Sequence, residues 1–206
     1  MFSGVTGAPR TNFGAGGTTT LATTPTSRPA PFLTINSGVY EVFVPSARTT
    51  TSGANWSTAS NAGVRIPVSK FYIAKPTTDT AATINAALAS GKHLLLTPPG
   101  VYRLNGPIKV TRANTVVLGM GVRNARPPSG GAAAITIGDV PPGVVVSSIM
   151  IDASSGTDVL VQVGTRGATH VGDAVNPTAL SDVFVRVGGG ARRALRGPCS
   201  RSTVTA

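Results

Sequence analysis

Cysteine is nearly absent: Cys199 is the single one in 206 residues, which excludes an internal disulfide framework and a multi-cysteine metal site. Histidine is almost as scarce, with His93 and His170 only, so a histidine-rich zinc site is excluded too and neither a metal nor a cofactor is expected. Acids are few, seven Asp and Glu against 18 Lys and Arg, for a formal charge of +11. Only 12% of residues are charged, so this excess reflects a shortage of acids and not dense Lys/Arg stripes. No specific nucleic-acid partner is expected on that pattern. No run of 18 or more apolar residues occurs, which removes a membrane-spanning helix. The stretch from Met1 to Pro9 lacks the charged and apolar regions of a secretory signal. Aromatics are thin as well: Trp56, three Tyr and six Phe.

What is abundant is Gly (25) and Pro (16), beside many Thr, Ser, Ala and Val, a composition of short strands and turns. Either the protein is cytosolic or its signal lies outside this chain, and low charge with that composition favours the second, extracellular reading. The length suits one elongated β domain, expected to be a monomer.

Residues 1–70 form a Thr/Gly/Pro-rich extension. Within it, Phe32 to Ile35 and Val39 to Val44 flank the Asn36-Ser-Gly38 turn and predict a hairpin. Val39, Glu41 and Phe43 would then face one side, Tyr40, Val42 and Val44 the other. Thr49 to Gly63 is polar and breaker-rich and predicts a loop, where Trp56 serves either as a packing anchor or as a sugar-stacking ring. One helix is predicted over Thr78 to Ser90, with Ala81, Ile84, Ala87 and Leu88 on one face, Thr78 or Asp79 as N-cap and Gly91 just past the end.

Beyond Thr111 the chain becomes a series of short apolar runs closed by Gly119, Gly138, Gly164 and Gly188, at intervals of 138 − 119 = 19, 164 − 138 = 26 and 188 − 164 = 24. An apolar strand and a glycine stop recurring at this spacing predicts a solenoid, in which each coil buries its inward side chains on its neighbours. The absence of helices between the runs excludes a doubly wound α/β fold. A β-sandwich spaces short strands by turns in the same way and stands as the alternative.

Residues 78 to 122 carry a more specific signal. The order Asp79-Thr-Ala-Ala-Thr-Ile-Asn-Ala-Ala-Leu, Gly91, Leu94-Leu-Leu-Thr-Pro-Pro-Gly-Val-Tyr-Arg-Leu104, Ile108-Lys-Val110 and Thr115-Val-Val-Leu-Gly-Met-Gly121 resembles the entry of pectate-lyase-like right-handed β-helices. Over residues 1 to about 188 the chain is similar to the N-terminal part of glycoside-hydrolase-55-like proteins. Relatives of that group also carry the names coagulation factor 5/8 type domain protein and adenylyl cyclase. The resemblance implies an all-β right-handed parallel β-helix with an N-terminal capping helix. It also implies a secreted protein acting on a polysaccharide, with hydrolysis of a glucan-type polymer as the parent activity. Such relatives continue for several further coils, so the solenoid is expected to be incomplete here. Residues 71–189 are then the capping helix and first coils. Residues 190–206, with four arginines after Gly190 and no acid, are a basic tail, either disordered or read out of frame from a longer gene.

Glycoside hydrolysis needs two carboxyl groups flanking the bond. The chain offers Glu41, Asp79, Asp139, Asp152, Asp158, Asp173 and Asp182. Asp79 is expected at the helix N-terminus, and Glu41 precedes the solenoid. Asp139 and Asp152 end strands, where aspartate often closes a turn on backbone N–H groups. If the coils register, Asp152 and Asp182 share a face, which makes them the candidate catalytic pair on this chain, although the resemblance puts the true site on coils outside it. Asp158, His170 and Asp173 sit in loops, and His93 opens an apolar strand as a hydrogen-bonded edge residue. Lyase chemistry has bases in Arg103, Lys109, Arg112 and Arg186 but no acid cluster to hold calcium. Cyclase chemistry needs metal-holding carboxylates and a phosphate cradle that no motif here supplies. The competing class is a noncatalytic carbohydrate-binding or surface-adhesion solenoid.

Overall fold

The computed structural model describes residues 2–5, 7, 20–53, 62–98, 100–121, 124–127, 129–139, 142–154, 156–169 and 172–187. Trp56, His170, Cys199 and the basic tail lie outside the described residues. The chain divides into two compact units, Met1–Ile66 and Pro67–Ala206.

In the first unit β1 (Phe2–Ser3) pairs parallel with β2 (Thr20–Leu21), and β3 (Thr24–Ser27) pairs antiparallel with β6 (Arg48–Thr51). The predicted hairpin is present as β4 (Phe32–Asn36) and β5 (Val39–Pro45), with β7 (Gly63–Pro67) on the other side of β5. Ser37 and Gly38, at φ 48 and 80, supply the two left-handed positions of a primed two-residue turn, whose twist matches that of the strands. Burial along β5 does not follow the expected two-sided alternation. Val42, Phe43 and Val44 are all buried, so the far half of β5 is covered on both sides, while Val39 and Tyr40 are exposed.

The second unit opens with a 3-10 turn (Val68–Lys70) and β8 (Phe71–Ala74), then α1 (Ala81–Ala89) and β9 (His93–Leu96). There follow β10 (Val101–Arg103), β11 (Ile108–Val110), β12 (Val116–Gly119), β13 (Asn124–Arg126) and β14 (Ile135–Ile137). The described part ends with β15 (Val145–Asp152), β16 (Val161–Val163) and β17 (Ala179–Arg186). Every strand pairing in this unit is parallel, which overturns the sandwich alternative and makes the unit a parallel β-helix.

Three faces result. The first stacks β8, β9, β12 and the leading halves of β15 and β17; the second stacks β10, β13 and the trailing halves of β15 and β17; the third stacks β11, β14 and β16. On the first face Leu94, Val117, Val146 and Leu180 occupy one row, so successive coils take 117 − 94 = 23, 146 − 117 = 29 and 180 − 146 = 34 residues. The glycine intervals in the sequence differ from these steps because they mix faces: Gly119 ends β12 on the first face, whereas Gly138 and Gly164 follow β14 and β16 on the third.

Inward side chains build one continuous core, including Ile84, Leu94, Leu96, Ile108, Val117, Ile135, Ile149 and Ile151. Tyr102 explains the Pro-Gly-Val-Tyr turn. Its ring is buried, and its hydroxyl donates to the Ala74 carbonyl at 2.8 Å and accepts the Thr97 N–H at 2.9 Å, joining three segments. The first face is apolar on both sides: Leu95, Leu118 and Val145 point away from the interior and are buried as well.

The helix caps the stack through backbone chemistry. Its N-cap is Thr80, in a reciprocal capping box with Thr83, and not Thr78 or Asp79. Asp79 instead accepts from the Tyr72 hydroxyl at 2.9 Å and the Lys75 N–H at 2.7 Å, fixing the chain between β8 and the helix. Asn85 donates to the Pro107 carbonyl at 2.9 Å and accepts the Lys109 N–H at 2.7 Å, so the side chain satisfies the edge of β11 that no strand among the described residues covers. Ile84 and Leu88 are the buried plug beneath it.

Candidate functional site

The acids named in the sequence are held in different ways. Glu41 faces Arg65 at 3.4 Å in the first unit. Asp139, after β14, accepts both the backbone N–H and the hydroxyl of Thr165, so it ties two coils together instead of closing its own turn. Asp173 accepts the N–H groups of Val175 and Asn176 at 2.9 and 3.0 Å, the expected loop role. Asp158 is exposed in a loop.

Asp152 and Asp182 share a sheet but stand at different positions in it. The register pairs Asp152 with Arg186, Ser147 with Ser181 and Ile149 with Val183. Asp182 therefore lies opposite Ser148, four positions before Arg186. Asp152 is 8% exposed, and it accepts two hydrogen bonds from the Arg186 guanidinium, Nε to Oδ1 at 2.5 Å and Nη2 to Oδ2 at 2.7 Å. This replaces the expected turn closure on backbone N–H groups. The same carboxylate holds the Arg186 pKa above its ordinary value, first through the hydrogen bonds and then through its charge.

Asp182 and Ser148 both have positive φ, 52 and 58, and both sit at the bend where a long strand passes from the first face to the second. Aspartate takes this left-handed position more readily than most residues, which suits Asp182 to the corner. Asp182 also borders a hollow of about 420 Å³ lined by Val161, Leu180, Val183, Phe184 and Val185. Among the described residues no group of three or more His, Cys, Asp or Glu is placed to hold a metal ion.

His93 accepts the Val116 N–H on Nδ1 at 3.1 Å and packs on Phe71 at 5.0 Å between ring centroids, in agreement with an edge role. Burial, then the Arg112 charge, pushes its pKa down. Sequence reasoning missed Asn85, whose type carries no signal in a helix interior, and the alignment of Arg103 with Arg126, which needs the coil register.

Comparisons with known proteins agree with this geometry. Residues 71–203 match the model of the LAM55 pectate lyase-like domain, a span that includes most of the basic tail. The chain is 48% identical over 190 residues to an exo-β-1,3-glucanase of Streptomyces sp. (strain SirexAA-E / ActE), covering 91% of this chain and 30% of that protein. Solved structures of sacteLam55A from Streptomyces sp. SirexAA-E superpose with a TM-score of 0.82 at 46% identity, over 91% of this chain and 34% of theirs. One of them is a variant in complex with glucose, with 33% of that chain covered. The chain thus spans about a third of the length of these relatives.

Proposed function

Because the chain belongs to the LAM55 pectate lyase-like domain family, we propose that it forms the capping helix and first coils of an extracellular β-1,3-glucan hydrolase. The observation that carries this reading is the 48% identity to an exo-β-1,3-glucanase, maintained over 91% of the chain. The geometry supports a division of labour. A glycosidase holds two carboxyl groups about 5 to 10 Å apart with one free to give or take a proton. Asp152 is engaged by Arg186, and Asp182 is a corner residue at another register position. In this reading Asp152 clamps the third coil to the fourth, and the catalytic pair comes from coils outside those described.

The test is glucose release from a soluble β-1,3-glucan by this chain and by its Asp152→Asn and Asp182→Asn variants. None of the three is expected to release glucose. Activity in the parent chain that both variants lose would overturn the assignment and return the chemistry to this pair. A noncatalytic polysaccharide-binding solenoid is the second reading, favoured by the absence of a free carboxyl pair at one register position among the described residues. Glucan binding without turnover, persisting when the chain is joined to the remaining coils of a relative, distinguishes it.

A further inference from the structure

On the second face the trailing strands β10, β13, β15 and β17 lie in that order. Tyr102, Ala125 and Ile151 point inward and are buried, so the next residue of each strand points outward. Arg103 pairs in register with Arg126, and Asp152 with Arg186. One residue past the Ala125–Ile151 pair, Arg126 and Asp152 become neighbours. The outer wall therefore carries a row of Arg103, Arg126, Asp152 and Arg186, each step about 4.8 Å, the strand spacing.

The charges in this row do not balance. Asp152 spends both oxygens on Arg186. Arg126 gives its Nε to the Ser154 hydroxyl at 3.3 Å, and the Ser154 hydroxyl in turn donates to the Pro127 carbonyl. Arg103 is exposed, and among the described residues no carboxylate lies within ion-pair reach of it. Two guanidinium groups are thus directly opposite on adjacent strands with no acid between them, an arrangement that repels unless an anion bridges it. Arginine forks are suited to carboxylates in particular. Beside this row, two residues earlier on each strand, stand Val101, Asn124, Met150 and Phe184, with Val101 and Phe184 exposed.

We propose that this row is a binding site for an acidic, carboxylate-bearing polysaccharide, which lies along the solenoid axis with its carboxylates on Arg103 and Arg126 and its sugar rings beside the neighbouring row, three of whose four members are apolar. The first face is closed to such a ligand, since its outward side chains Leu95, Leu118 and Val145 are buried. A polysaccharide is favoured over a nucleic acid because only two guanidiniums of this row lack an ion pair and because the neighbouring row holds a single aromatic ring, too little for successive stacked bases. The site is independent of where the hydrolytic carboxyls lie.

The test measures binding of the whole chain to fluorescent polygalacturonate, with neutral β-1,3-glucan and duplex DNA as comparison ligands, at about 50 and about 200 mM salt. Polygalacturonate is expected to bind most tightly of the three and to weaken with salt. Arg103→Gln with Arg126→Gln is expected to weaken it about tenfold, and Arg103→Gln alone, which disturbs no hydrogen bond of the fold, by a smaller factor. Lys109→Gln with Arg166→Gln removes the same charge elsewhere and is expected to leave binding unchanged. Equal loss in both double variants, tighter binding of DNA, or no effect of Arg103→Gln in a chain that melts normally would overturn the proposal.

Discussion

Replacing Gly119 with alanine tests the stacking of the second and third coils at one atom. A Cβ at this position would lie 2.0 Å from the Ser148 carbonyl oxygen, 3.0 Å from its carbon and 3.2 Å from the Gly121 oxygen. Both nearest atoms are backbone, and Ser148 already sits at φ 58 in the corner of β15, so no flexible side chain can give way. Restoring an ordinary contact of 3.4 Å requires β12 and β15 to separate by 3.4 − 2.0 = 1.4 Å at the corner, which strains the Val116–Val145 to Leu118–Ser147 pairing. Overpacking of this kind costs about 3 kcal/mol, or about 10 °C in Tm for a domain of this size. Gly106→Ala is the matched control, because its Cβ would find only the Ala81 methyl at 3.8 Å; it is expected to change stability by less than about 0.5 kcal/mol. Thermal melts followed by far-ultraviolet circular dichroism read both. Equal melting temperatures for the two variants would refute the close approach of β12 to the β15 corner.

Asn85→Ala removes the side chain that satisfies the β11 edge, and a loss of about 1 kcal/mol is expected, read as a lower urea midpoint at unchanged slope. An unchanged midpoint would show that water satisfies that edge equally well. His93 has a folded pKa below its unfolded value, so the unfolded chain binds more protons, and the stability it contributes is present above about pH 6.5 and lost as pH falls through the folded value. Melting between pH 8 and pH 5 should therefore drop more steeply in the parent than in His93→Gln, and parallel curves would count against the Val116 hydrogen bond. Asp152→Asn should loosen the β15–β17 rung, seen as faster hydrogen exchange at the Ala153 amide, which donates to the Arg186 carbonyl at 2.9 Å. Unaltered exchange there would mean that the ion pair contributes nothing to holding the coils.

The fold was legible because its strongest signals are local and chemical. The hairpin announced itself through Asn36-Ser-Gly38, the helix through apolar spacing, and the coil entry through Pro98-Pro-Gly-Val-Tyr102 with its buried hydroxyl. Coil length was misjudged, since the glycines that punctuate the runs belong to different faces and the coils lengthen from 23 to 34 residues. The N-cap was placed one or two residues early because threonine and aspartate at 78, 79 and 80 are all good caps, and only the Thr83 partner selects Thr80. The candidate site was the least legible part. Whether Asp152 meets Asp182 or Arg186 depends on a four-residue register shift across a loop of variable length, which no single-strand pattern encodes.

An exchange experiment tests the central claim most directly. This chain replaces the segment it matches in the Streptomyces exo-β-1,3-glucanase, and glucose release from β-1,3-glucan is measured for the chimera, the parent enzyme and this chain alone. The account predicts a folded, active chimera and an inactive isolated chain, because the first coils are interchangeable supports and the catalytic pair lies elsewhere. A chimera that folds with the parent's melting behaviour but releases no glucose would contradict it.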